Sequence, residues 1–176
     1  MEAGKYYHIY NRTNNNELLF REDENYLFFL GKYKQYLNNF VDTYAYCLMP
    51  THFHLLIRIK EKETETGLIT LAFKNFFISY AKSFNEKYSR KGSLFQPKFK
   101  KKSIDKEDYL TRVIFYIHAN PIVGKCCERI EDWPYSSYNA IISESPTTIK
   151  RKEVLDWFNG KDDFKRFHHE LLSENY

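Results

Sequence analysis

Residues 41–60, VDTYAYCLMPTHFHLLIRIK, decide how the whole chain is read. Both halves carry the aromatic, aliphatic and β-branched residues that strands favour, and only a Pro-Thr break separates them. So short a connection predicts an antiparallel hairpin. On the second strand side chains alternate, which puts His52, His54, Leu56 and Arg58 on one face and Phe53, Leu55, Ile57 and Ile59 on the other. The second face is apolar and is expected to pack against helices. The first carries two imidazoles that a core strand does not need, so it is expected to stay open to a ligand.

Outward from this hairpin, periodicity supplies the rest. Residues 6–12, YYHIYNR, read as a strand, followed by a polar loop. Residues 24–40 place Tyr26, Phe29, Leu30, Tyr33, Leu37 and Phe40 at helical spacing, and residues 66–88 do the same with Ile69, Phe73, Phe76 or Phe77, Tyr80 and Phe84. FKKKSI, residues 99–104, suits an edge strand. Ser103 or Asp105 is placed to cap a last helix, which Pro121 should end at about Asn120. The order β-α-β-β-α-β-α predicts an α+β fold, a ferredoxin-like or RRM-like antiparallel sheet with packed helices. SESPTT, residues 143–148, reads as a linker, dividing the chain into residues 1–145 and a small helical C-terminal extension, 146–176.

Composition bounds the class. The chain has 176 residues, 43% of them apolar and 18% aromatic, enough for one packed core without disulfides. Cys47, Cys126 and Cys127 form no CxxC pair, which suits a reducing compartment. No stretch approaches the length of a membrane span and the N-terminus lacks a signal-peptide core, so a cytoplasmic protein without membrane contact is expected. Net charge is only +4, yet Lys87–Lys106 holds eight Lys or Arg against one Asp. That segment reads either as a polyanion footprint or as a solvated lysine-rich loop.

A His-x-His strand can hold a divalent metal in bidentate fashion, or it can simply display two solvent-facing imidazoles. A third group comes from the helix expected over 105–120. Its apolar stripe is Leu110, Val113, Ile114 and Ile117, and Tyr109, Arg112, Tyr116 and Asn120 cluster along one edge of that stripe. Tyr116 and Asn120, four apart, offer a hydroxyl and an amide to one point in space. His118 projects away from that edge. Phe95 and Phe99 are placed either to stack on bases or to fill the core.

Four motifs, MPTHFHLLI, SLFQPKF, YIHANPI and DWPYSSY, occur in that order. Together they resemble the HUH single-tyrosine transposases, the IS200-like family, and most closely its branch associated with repetitive extragenic palindromes (REPs). The opening YYHIYNR and the tail from Ile149 to Leu172 are also similar to that branch. The resemblance implies His52 and His54 as metal ligands, Asn120 as the third ligand where better-known relatives have glutamine, and Tyr116 as the nucleophile. It implies a divalent cofactor, Mg²⁺ or Mn²⁺, and a substrate of single-stranded DNA beside a hairpin, cut through a 5′-phosphotyrosine. Thr51 and Ala119 depart from the common Asn and Leu and are expected to touch no implied catalytic atom. Arg12, Arg58, Lys98, Lys100, Lys101, Lys102 and Arg112 are the candidate DNA contacts. A monomer is expected over a tyrosine-exchanged dimer, because residues 146–176 can hold the tyrosine helix in cis. The competing readings are a nucleic-acid-binding module that does not cut, and a hydrolase using activated water with Tyr116 structural.

Overall fold

The structure, a computed structural model, describes residues 1–61 and 66–175. Four strands, β1 (Tyr6–Arg12), β2 (Val41–Met49), β3 (His52–Ile59) and β4 (Lys100–Ile104), form one sheet in the order β2-β3-β1-β4, every pair antiparallel. The helices are α1 (Asp23–Leu37), α2 (Thr66–Lys87), α3 (Leu110–Val123), α4 (Tyr138–Ile142), α5 (Arg151–Trp157) and α6 (Lys161–Asn175). The expected α+β sheet with packed helices is what the chain adopts.

Alternation along β3 sorts two cores onto the two faces. Phe53, Leu55, Ile57 and Ile59 join Ile9 and the stripes of α1 and α2, with Phe29, Phe73, Phe76 and Tyr80 all buried. Each such side chain contributes about 1.5–3 kcal/mol by leaving water, so this layer fixes the sheet's register. A one-residue slip of β3 would turn Phe53, Leu55, Ile57 and Ile59 to the other face. The opposite face packs Ala45, Cys47 and Leu56 against Ile114 and Ile117 of α3, and against Tyr138, Val154 and Phe164 from the C-terminal helices.

The histidine face is therefore not open along its length. Leu56 is buried beneath α3, and the face reaches solvent only at its two ends, at His52 and at Arg58. The Pro50–Thr51 turn before His52 is pinned: Leu19 and Phe20 donate their N–H groups to the Pro50 carbonyl, and Thr13 N–H donates to that of Thr51. A bulge at Thr43/Ala45 shifts the β2 register beside Tyr44, whose ring stacks on Trp157 and whose hydroxyl donates to Glu153 at 2.6 Å. The extension is thereby fastened to the sheet edge.

Two helix boundaries differ from expectation. Ser103 donates to Asp105 instead of capping α3, which begins only at Leu110 behind a 3-10 turn over Glu107–Tyr109. The helix also continues through Pro121 to Val123. Proline removes the N–H that would reach the Ile117 carbonyl. Asn120 compensates, its Nδ2 donating to the carbonyls of Tyr116 at 2.7 Å and Ile117 at 3.3 Å. The expected stop fails because the neighbouring side chain repairs the gap.

Candidate active site

Antiparallel pairing of β1 with β3 sets Arg12 opposite His52 and Tyr10 opposite His54. Tyr6, His8, Tyr10 and Arg12 consequently share the histidine face. Helix α3 crosses that face with Leu110, Val113, Ile114 and Ile117 buried, leaving Arg112 and Tyr116 exposed on its flank. The result is a cleft of about 360 Å³ at the sheet end, into which Arg12, His52, His54, Lys100, Tyr116 and Asn120 all converge. Tyr116 is 52% exposed, its ring set edge-on to His54 at 5.5 Å between centroids.

The two imidazoles are neutral and held. Burial pushes His54 down to about 2, with the neighbouring His8 and His52 adding repulsion. Burial also lowers His52, helped by the Arg12 charge and opposed in part by a hydrogen bond to Asn120. Both rings are therefore unprotonated bases near neutral pH. Each Nδ1 has a partner: His52 Nδ1 lies 3.1 Å from Thr51 Oγ1, and His54 Nδ1 lies 2.9 Å from His8 Nε2. Thr51 thus does touch an implied ligand, contrary to expectation.

These residues fit a divalent ion. A metal–nitrogen bond of about 2.1 Å puts each ring centroid about 3.3 Å from the ion, so two ligating rings sit about 4.7–5.4 Å apart. The His52 and His54 centroids are 5.2 Å apart, with the rings at 89°. Because its Nδ2 is committed to the helix carbonyls, Asn120 turns its other amide atom, Oδ1, toward His52. Among the described residues no three His, Cys, Asp or Glu side chains form a metal-holding group. An ion here accordingly needs an amide, water or phosphate oxygen to complete its shell.

The candidate DNA contacts separate. Arg12 and Lys100 line the cleft, and Arg112 lies exposed one turn before Tyr116 on α3. Lys102 pairs with His8 across β4 on the same face, its Nζ 5.7 Å from the Tyr109 ring centroid. Lys98 and Lys101 line a groove of about 910 Å³ between α2 and the segment before β4, which meets the cleft at Asn11 and Gln96. Arg58 is elsewhere. Six residues along β3 from His52, about 20 Å away, it pairs with Glu61 at 2.5 Å and donates to the Gly4 carbonyl. Phe95 is buried in the core, and Phe99, half-buried, packs against Phe73 and Phe77 at the wall of the groove that Lys98 lines.

Sequence reading missed His8, Tyr10 and Gln96. The signal for His8 and Tyr10 lay in the parity of β1, which becomes informative only once its pairing with β3 is known, and Gln96 lies in the segment before β4. His118 does project away from the cleft, into a buried network with His168 and Ser137.

The fold is thus a four-stranded antiparallel sheet whose histidine pair faces an exposed helix tyrosine. The model of the family described as "Transposase IS200 like" matches residues 3–120, well over half of the chain, and the chain belongs to that family. A Haemophilus influenzae protein provisionally named a REP-associated tyrosine transposase is 29% identical over 119 residues, covering 63% of this chain and 67% of the relative. A solved REP-associated tyrosine transposase, bound to a REP hairpin, superposes with a TM-score of 0.63. It is 18% identical, with 83% of this chain and 84% of that one covered, and so attests the shared fold. Among the described residues no helix is long and apolar enough to cross a membrane.

Proposed function

We propose that this transposase cuts and rejoins single-stranded DNA beside a hairpin through a covalent bond to Tyr116. The observation that carries the reading is the convergence of His52, His54, Asn120 and the exposed Tyr116 on one cleft. Tyr116 Oη attacks the scissile phosphorus and the P–O3′ bond breaks. The phenolic proton passes to solvent, the 3′-oxygen leaves and takes up a proton, and the 5′-phosphate stays on tyrosine. Attack by another 3′-hydroxyl reverses the step and joins strands without ATP. A divalent ion, Mg²⁺ or Mn²⁺, held by His52, His54 and Asn120, would polarise the phosphate and offset charge developing on it.

The surrounding residues support a single-stranded substrate. Arg12, Lys100 and Arg112 are placed to bind phosphates around the cleft, and Lys98 and Lys101 extend the positive track along the neighbouring groove. Within one chain α3 lies on the sheet that carries the histidines, and α6 packs on it, which supports a monomer acting in cis.

The test is a labelled hairpin oligonucleotide with a single-stranded flank, drawn from DNA beside the gene, incubated with Mn²⁺, Mg²⁺ or chelator. Flank cleavage that needs metal and is lost in His52→Ala is expected. Equal cleavage in chelator would exclude the metal role, and binding without cleavage under every condition would favour a module that only binds.

A further inference from the structure

We propose that His8 is a positioning residue of the metal centre, holding His54 through Nδ1 so that His54 presents Nε2 to the ion. This rests on the metal reading above. The pairing register sets His8 opposite Leu56, which makes it the diagonal neighbour of His54 on the same sheet face. The His8 Nε2 to His54 Nδ1 distance is 2.9 Å, between residues that are 8% and 6% exposed. The ring centroids lie 5.1 Å apart with planes 27° from parallel, flanked by Tyr10 at 4.9 Å from His8 and 5.7 Å from His54. Tyr116 closes the remaining side, edge-on to His8 at 5.8 Å.

A neutral imidazole carries one proton, on either nitrogen. With the His54 proton on Nδ1 and donated to His8 Nε2, the His54 Nε2 lone pair is free for a metal. The reverse tautomer would cover that lone pair with hydrogen. With its own proton on Nδ1, His8 would accept at Nε2 and select the useful form, and an ion on His54 Nε2 would favour that same pair of tautomers. His8 does so from a strand, within a packed group of rings, which also fixes the azimuth of the His54 ring. Thr51 makes the matching contact to His52 Nδ1 from a half-buried turn, so the two ligands are held by different elements.

The purely structural alternative is that His8 merely satisfies a buried polar neighbour. Substitutions that differ in where they put an acceptor distinguish the two. Gln carries its terminal amide where His carries Nε2; Asn carries it where His carries Nδ1. Mn²⁺ affinity of the full chain, by calorimetry in the absence of DNA, is the readout, with far-ultraviolet dichroism to check folding. Wild type should bind one Mn²⁺ that His52→Ala abolishes. His8→Leu should weaken it by about 10–100-fold, His8→Gln should stay within about threefold of wild type, and His8→Asn should resemble His8→Leu. If His8→Leu does not fold, the Gln and Asn variants decide alone. His8→Leu binding like wild type, or Gln and Asn binding alike, would overturn the role of His8 and leave the metal centre standing. No His52-dependent Mn²⁺ binding by wild type would overturn both.

Discussion

His118 of α3 and His168 of α6, fifty residues apart in sequence, meet at 3.0 Å between Nδ1 and Nε2 in the buried second core. Their partners determine every proton in the chain of contacts. His168 Nδ1 faces the Phe164 carbonyl at 2.8 Å and must donate to it, so His168 Nε2 accepts from His118 Nδ1. His118 Nε2 then accepts from Ser137 Oγ at 2.7 Å, and Ser137 Oγ accepts from Tyr46 N–H at 2.8 Å. The tyrosine helix is thereby joined to the tail and to β2 through one set of neutral tautomers.

Acid should loosen this joint. Burial holds His168 at about 4 and pushes His118 well down, whereas an unfolded histidine titrates near about 6.5. Between those values the unfolded chain binds more protons, so stability falls as pH falls. His168 alone should account for roughly 3 kcal/mol by pH 4. Urea unfolding at pH 7 and pH 4.5 should show the loss, and His168→Leu should flatten the pH dependence. An unchanged slope in that variant would contradict the assignment.

The tail should matter to the whole fold. Phe164 is fully buried against Tyr138, His118 and Phe158. Phe164→Ala should cost about 3–5 kcal/mol, read as a lower urea midpoint. Light scattering at micromolar concentration should give the mass of a single chain. A stable dimer would count against a tyrosine helix held in cis.

Asn120 has two tasks that mutation separates. Asn120→Ala and Asn120→Asp both remove the donor that covers the Ile117 carbonyl freed by Pro121, so each should destabilise the chain by about 1 kcal/mol. Only the aspartate keeps an oxygen for a metal. Mn²⁺ binding retained in Asp and lost in Ala is expected; binding lost equally in both would remove Asn120 from the ligand set.

Metal should also act on stability. At a Mn²⁺ concentration about a hundredfold over its dissociation constant, binding to the folded chain alone adds about 2.7 kcal/mol. The rise should appear in thermal melts of wild type and vanish in His52→Ala.

Much of this architecture was legible in local pattern. The alternation of β3 separated Phe53, Leu55 and Ile57 from the histidines, and helical spacing named the buried faces of α1 and α2. What was hidden depended on distant pairing. Arg58 shares a face with His52 by parity, but strand direction carries it to the far end of the sheet. His8 gains meaning only when β1 lies beside β3. His168 shows no reason to be buried until α6 folds onto α3. Pro121 carries a strong stop signal, which Asn120 overrides through a side-chain contact that no propensity records.

The central claim is the covalent chemistry of Tyr116, and the most direct measurement is to trap it. Labelled hairpin DNA should be incubated with wild type and Tyr116→Phe in Mn²⁺, resolved on a denaturing gel, and the adduct digested and mapped. The expected result is a protein–DNA adduct in wild type only, with the 5′-phosphate on Tyr116. Cleavage persisting in Tyr116→Phe without an adduct would show that water is the nucleophile and contradict it.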